Sequence, residues 1–179
     1  MRESNLWVIV TSVKGEACDL NKMLKENIFQ KFNARGSKLP PHFTIKAPFE
    51  ADDISNAINA IEKFSQKASK GKYIIDGFNH FSNRVVFMDV KMLEEAKAVH
   101  DALIDELLKV GITFDKKDGK NKKFHVTIVS KNVQTNFECI WEYVLEFKCY
   151  FELYFDNVEI YKFQNNRWML FKSFQLKEV

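Results

Sequence analysis

Apolar and polar positions fall into distinct blocks along this chain, and the blocks predict elements. Leu6–Ser12 is rich in β-formers and reads as a strand. Leu20, Leu24, Ile28 and Phe32 recur every fourth residue, which marks one face of a helix over Ala17–Phe32. The stretch Ala34-Arg-Gly-Ser-Lys-Leu-Pro-Pro41 breaks that period and predicts a loop. His42–Ala47 then alternates as a strand. Asp52 or Asp53 caps a second helix, whose core stripe is Ile54, Ala57, Ile58, Ile61, Phe64 and Ala68. Tyr73–Phe81 and Arg84–Val90 predict two strands joined by a Ser-Asn turn.

The second half follows the same order. Met92, Ala96, Val99, Leu103 and Leu107 mark a helix over about Lys91–Val110. A lysine-rich loop, Asp115–Lys123, leads into the strand Phe124–Ser130. Thr135 and Glu138 form a capping-box pattern for a fourth helix with Phe137, Ile140, Trp141 and Val144 inward. Two long strands, Phe151–Phe163 and Arg167–Leu176, close the chain around an Asn165-Asn166 turn. Arg84 follows His42 at the same distance, 42 residues, as Arg167 follows His125. Matched order and matched offset together predict an internal duplication, with two similar lobes around a shared cleft.

Composition narrows the class. A chain of 179 residues, 46% hydrophobic and 28% charged, suits one packed α/β or α+β domain over 1–179 and is neither a disordered segment nor a coiled coil nor a fibre. The net charge of +3 is too small to draw nucleic acid to the whole surface, so an anion site must be local. Cys18, Cys139 and Cys149 show no metal-type spacing, which predicts a reduced, cytoplasmic protein. The apolar run Leu6–Val10 is too short for a signal peptide, and no membrane association is expected.

The chemistry lies in a repeated tetrapeptide. His42-Phe-Thr-Ile45 and His125-Val-Thr-Ile128 use two of the four histidines. On a strand, His42 and Thr44 point one way while Phe43 and Ile45 point the other, and the second copy does the same. The apolar pair anchors each strand; an imidazole and a hydroxyl face the cleft side by side. Two histidines can act as base and acid in one turnover, and two hydroxyls can donate to phosphate oxygens. That set suits in-line displacement at phosphorus without a metal, and no HExxH or acidic metal cluster is present in the sequence.

These motifs resemble those of the 2H phosphoesterase superfamily, and within it the 2′–5′ RNA ligase and RNA 2′,3′-cyclic phosphodiesterase group. Pro40-Pro-His-Phe-Thr-Ile-Lys-Ala-Pro-Phe49 is similar to that group's first motif, and Phe124-His-Val-Thr-Ile-Val129 to its second. The resemblance implies a pseudo-two-fold pair of antiparallel sheets with helices outside, and metal-free opening of a cyclic phosphate to a 2′-phosphate. Phe43 stands where an aliphatic residue is usual. Many relatives carry an Arg shortly after the second motif, where this chain has Ser130-Lys131.

The expected site is therefore His42 and His125 as the catalytic pair, with Thr44 and Thr127 binding phosphate. Lys46 joins them if the alternation of the first strand continues past Ile45. The expected function is hydrolysis of a 2′,3′-cyclic phosphate or 2′–5′ linkage in RNA or nucleotides, by a monomer without cofactor, metal or obligatory protein partner. The rival readings are a ligase running the reverse reaction, a nucleotide or RNA-end binding module, and a zinc site on the two histidines. The lysine-rich loop is either a solvated loop or an RNA contact. Arg84 and Arg167 fit exposed strand starts, and His80 and His100 fit structural positions. Tyr161 and Trp168 are core aromatics or stacking platforms.

Overall fold

The computed structural model describes residues 5–179; Met1–Ser4 of the unit expected over 1–179 lie outside the described residues. In chain order the elements are β1 (Leu6–Ser12), α1 (Gly15–Phe32), β2 (His42–Glu50), α2 (Ser55–Lys67), β3 (Gly71–Phe81), β4 (Val85–Met92), α3 (Glu94–Lys109), β5 (His125–Val129), a 3-10 turn (Gln134–Asn136), α4 (Phe137–Leu145), β6 (Tyr150–Phe155), β7 (Asn157–Gln164) and β8 (Arg167–Gln175).

The strands form two four-stranded antiparallel sheets, ordered β2-β1-β7-β8 and β5-β4-β3-β6. Each motif strand is the edge of its sheet, and the two edges meet, with Cα atoms of β2 and β5 within 8 Å of each other. This is an α+β fold of two lobes around a central cleft with helices outside. Phe43 ties the lobes together: its ring lies edge-on to Tyr73, Phe124 and Phe155 at centroid distances of 5.3, 6.0 and 5.6 Å. Filling this seam with an aromatic ring is the physical content of the phenylalanine found at that position.

The hairpin that follows each motif belongs to the other motif's sheet. β3 and β4 lie beside β5, whereas β7 and β8 lie beside β1 and β2. The chain thus leaves the first sheet after β2 and returns only at β7. The return corrects one expectation, because Phe151–Phe163 is not one strand but two, divided at Asp156. The inward positions change parity there: Phe155 is fully buried on an odd number, Val158 and Ile160 on even ones. Buried Asn157 anchors the switch to β1, its Oδ1 accepting from Ser12 N at 2.9 Å and its Nδ2 donating to Ser12 O at 3.1 Å.

Turn chemistry follows the sequence at the last hairpin. Asn165 and Asn166 have φ of 51° and 60°, the two positive values a tight antiparallel turn demands. The capping box does not form. The 3-10 turn occupies the segment where Thr135 was expected to cap, and α4 starts after Asn136 without a side-chain cap.

Candidate active site

Alternation in both motif strands does what the sequence predicts. Phe43, Ile45, Val126 and Ile128 are at most 1% exposed, while His42, Thr44, His125 and Thr127 are half-buried on the opposite face. Burying each anchor is worth about 1.5–3 kcal/mol, so the strands are stiff supports for the polar pairs. Antiparallel neighbours share a face, so β1 adds Ser12 opposite His42 and Val10 opposite Thr44. In the second sheet β4 adds Asp89 opposite His125 and Phe87 opposite Thr127.

The two imidazoles are held identically. His42 Nδ1 lies 2.8 Å from Pro40 O, and His125 Nδ1 lies 2.9 Å from Lys123 O. A carbonyl can only accept, so each Nδ1 carries the proton and donates. Each Nε2 is then left as the lone-pair nitrogen of the neutral ring. Burial pushes the His42 pKa down to about 4; the charges of Lys25 and His125 work in the same direction, against the Pro40 carbonyl and Glu159. The effect of His125 on His42 places the rings in one field. Burial also lowers His125, reinforced by Lys122 and Lys123 and opposed by the Lys123 carbonyl and Asp89. Both rings are neutral at pH 7.

Aromatic and acidic groups complete the walls. Phe81 and Phe87 each lie 5.0 Å from the His125 ring and 4.5 Å from each other. On the first sheet Tyr161 is buried with Val8, Val10 and Leu39, and Trp168 packs against this cluster. The Tyr161 hydroxyl donates to Glu159 Oε2 at 2.7 Å. Asp89, Glu159, Phe81, Phe87 and Lys25 escaped the sequence reading. Cross-strand alternation from the histidines could have found Asp89 and Phe87 once the register was known, but nothing local marks Lys25.

Lys46 is not brought to the cleft. A β-bulge leaves Ile45 unpaired, so Lys46 stands opposite Ile9, a residue of the core. Its ammonium donates to Asp118 Oδ2 at 2.9 Å and lies 5.4 Å from the Phe114 ring centroid. The alternation argument fails at that bulge. The lysine-rich loop is divided: Lys122 reaches inward to the carbonyls of Thr44 and Ile45 and Lys123 pairs with Asp89, whereas Lys116 and Lys117 are exposed and Lys120 pairs with Asp105 at the surface. Arg84 and Arg167 are exposed at hairpin turns. His80 packs on Phe137 and Trp141 on the far face, and His100 is fully buried against Phe124. No group of three or more His, Cys, Asp or Glu side chains able to hold a metal occurs among the described residues.

The paired histidines on a two-sheet cleft have a counterpart in sequence, because the model of the 2′-5′ RNA ligase superfamily matches residues 15–167. This chain belongs to that family. The match spans both motifs and all the strands of the second sheet. A protein of Geobacillus sp. named as a phosphoesterase is 23% identical over 150 residues, covering 81% of this chain and 83% of its own length. Among solved structures, Escherichia coli LigT complexed with 3′-AMP aligns with a TM-score of 0.66 at 11% identity, over 99% of this chain and all of LigT. A Thermus thermophilus protein aligns with a TM-score of 0.65 at 12% identity, over 97% of this chain and 98% of its own. LigT has also been solved with NADP+ and with ATP, both over at least 98% of this chain, with TM-scores of 0.61 and 0.56 at 11% identity. These structures establish a shared fold for this member of the 2′-5′ RNA ligase superfamily.

Proposed function

We propose that the protein is a metal-independent phosphodiesterase that hydrolyses a 2′,3′-cyclic phosphate, or a 2′–5′ linkage, of RNA or nucleotides. The observation that carries this reading is the matched pair of imidazoles. Each has Nδ1 committed to a backbone carbonyl two residues upstream, leaving Nε2 for chemistry beside a threonine on the same face. LigT bound to 3′-AMP lends support to a nucleotide substrate.

In the reaction, His42 Nε2 takes a proton from water as the water oxygen attacks phosphorus. His125 Nε2–H gives a proton to the departing ribose oxygen as its bond to phosphorus breaks. Thr44 and Thr127 donate to the non-bridging oxygens. His42 takes the base's part in this reading because burial and the neighbouring Lys25 charge keep its ring in the neutral form. His125, with Asp89 beside it, is the ring that takes up a proton when the phosphate anion enters. Three free thiols fit a reducing cytoplasm.

The test is steady-state hydrolysis of 2′,3′-cyclic AMP with chelator present. His42→Ala and His125→Ala should each lose about 10²–10⁴-fold in kcat, as loss of a general acid or base does. An aryl phosphodiester, whose leaving group needs no proton, should restore His125→Ala but not His42→Ala. Full activity in the double variant would refute the proposal. Incubation of a 2′,3′-cyclic end with a 5′-hydroxyl oligonucleotide reports the reverse, ligating direction by its product.

A further inference from the structure

The segment leading into each motif strand grips the other motif strand. Asn21 of α1, which leads to β2, donates from Nδ2 to the Thr127 carbonyl at 3.2 Å. Lys122, which leads to β5, donates from Nζ to the Thr44 carbonyl and, at 3.3 Å, to that of Ile45. The two threonines expected to hold phosphate are thus both fastened through their main-chain oxygens from across the seam. The Lys122 grip falls at the bulge, where β2 loses its pairing with β1 and its backbone lacks a ladder partner at Ile45.

We propose that Lys122 is a positioning residue. Its ammonium, bridging the carbonyls of Thr44 and Ile45, sets the distance and angle at which Thr44 and His42 meet the second motif. The proposal rests on the phosphodiesterase reading. A charged donor holds a carbonyl about twice as firmly as a neutral one, so the grip depends on the proton of Lys122. That proton is weakly held: burial pushes the Lys122 pKa down to about 8. The groups around it are Asp118 on its own loop, Lys97 and His100 on α3, His125 on β5 and the Phe124 ring, 5.3 Å from Nζ. Asp118 favours the charged amine and Lys97 opposes it; His100 is neutral above about pH 4. Ionisation of Lys122 should therefore be transmitted to Thr44 on the alkaline side of neutrality, where neither motif imidazole titrates.

The test uses the full chain with Lys122→Met, which keeps the stem, and Lys122→Arg, which keeps the charge at every accessible pH. Thermal unfolding checks each fold. Lys122→Met should lose about 10–100-fold in kcat on 2′,3′-cyclic AMP with KM changed less than about threefold, the mark of misplaced groups. Lys122→Arg should recover most of that loss. In the wild type kcat should fall above about pH 8, and in Lys122→Arg the plateau should extend beyond it. The methyl NMR resonance of Thr44 should titrate with that same midpoint in the wild type and in neither variant.

A folded Lys122→Met enzyme with wild-type kcat and the same alkaline limb would overturn the proposal, as would a Thr44 methyl indifferent to pH. If Lys122→Met fails to fold, Lys122→Arg decides alone through its pH profile. An inert wild-type protein whose Thr44 methyl still titrates, and whose binding of inorganic phosphate weakens in Lys122→Met, would overturn the hydrolytic reading and leave the positioning role standing.

Discussion

Removing the Asp118 carboxylate should be among the most damaging single changes outside the motifs. Its side chain is 3% exposed and receives three donors: Lys46 Nζ at 2.9 Å, Ala47 N at 3.0 Å and Asp115 N at 2.8 Å. In Asp118→Ala the Lys46 ammonium, whose side chain is 13% exposed, is left without its counter-ion, and the Ala47 amide loses its acceptor. Breaking a buried pair from one side costs about 3–5 kcal/mol. The flexible Lys46 stem can carry its charge toward solvent, so the lower end applies, about 3 kcal/mol. For a chain of this size that is a fall in Tm of roughly 6–12 °C. Urea denaturation at neutral pH measures it, and a cycle with Lys46→Met isolates the pair. Lys46→Met alone should be milder, because Asp118 keeps both amide donors. The sign with pH follows from Asp118 itself. Burial works to raise its pKa, but Lys46 and the two amides outweigh it and hold it below the usual carboxylate value. Its stabilisation is present above the unfolded value of about 3.9 and disappears as pH falls through the lower folded one. A loss under about 0.5 kcal/mol, or no coupling in the cycle, would show that the pair does not anchor the loop to β2.

Other outcomes follow from the same contacts. Lys46→Met should leave KM for a cyclic phosphate unchanged within about twofold, since a residue facing the core contributes no phosphate contact; a large rise in KM would return Lys46 to the site. Stability should fall between about pH 6.5 and 4, because buried His100, lowered to about 4, is neutral in the fold and protonates first in the unfolded chain. The shift of His100 contributes up to roughly 3 kcal/mol of that fall, and His100→Phe should remove this share in a pH-dependent melt while the share of His42, also held down to about 4, persists. Gly36→Ala should destabilise the seam, since a Cβ there would sit 2.2 Å from the Ile128 carbonyl; a variant as stable as the wild type would contradict that packing. Dialysis against EDTA should leave turnover intact, and a loss restored by zinc would favour a metal mechanism.

The motifs were legible because strand alternation is local. Placing His42 with Thr44 and Phe43 with Ile45 needs only the two-residue period, and that period holds until Ile45. Lys46 defeats it one residue later, where a bulge fixed by contacts with β1 and the Asp118 loop resets the faces. The helices were legible from their spacing, with α1 ending at Phe32 as the apolar period does. The split at Asp156 left a trace in the parity of Phe155 and Val158, yet only partner strands reveal that it marks a change of sheet. The lysine-rich loop shows the limit most clearly. Its composition suggests solvent or RNA, whereas Lys122 and Lys123 are spent on Thr44 and Asp89, residues 78 and 34 positions away.

The strand order also bears on how the molecule assembles. The β5-β4-β3-β6 sheet is drawn from one uninterrupted stretch, Gly71–Phe155, whereas β1 must wait for β7, whose first residue is Asn157. Short loops close at lower entropic cost than long ones, so the sheet bearing His125 can form early and the one bearing His42 is completed last. A refolding chain can therefore assemble the His125 sheet from neighbouring strands first, while the strand bearing His42 waits for β7 to return across the molecule and pair with β1.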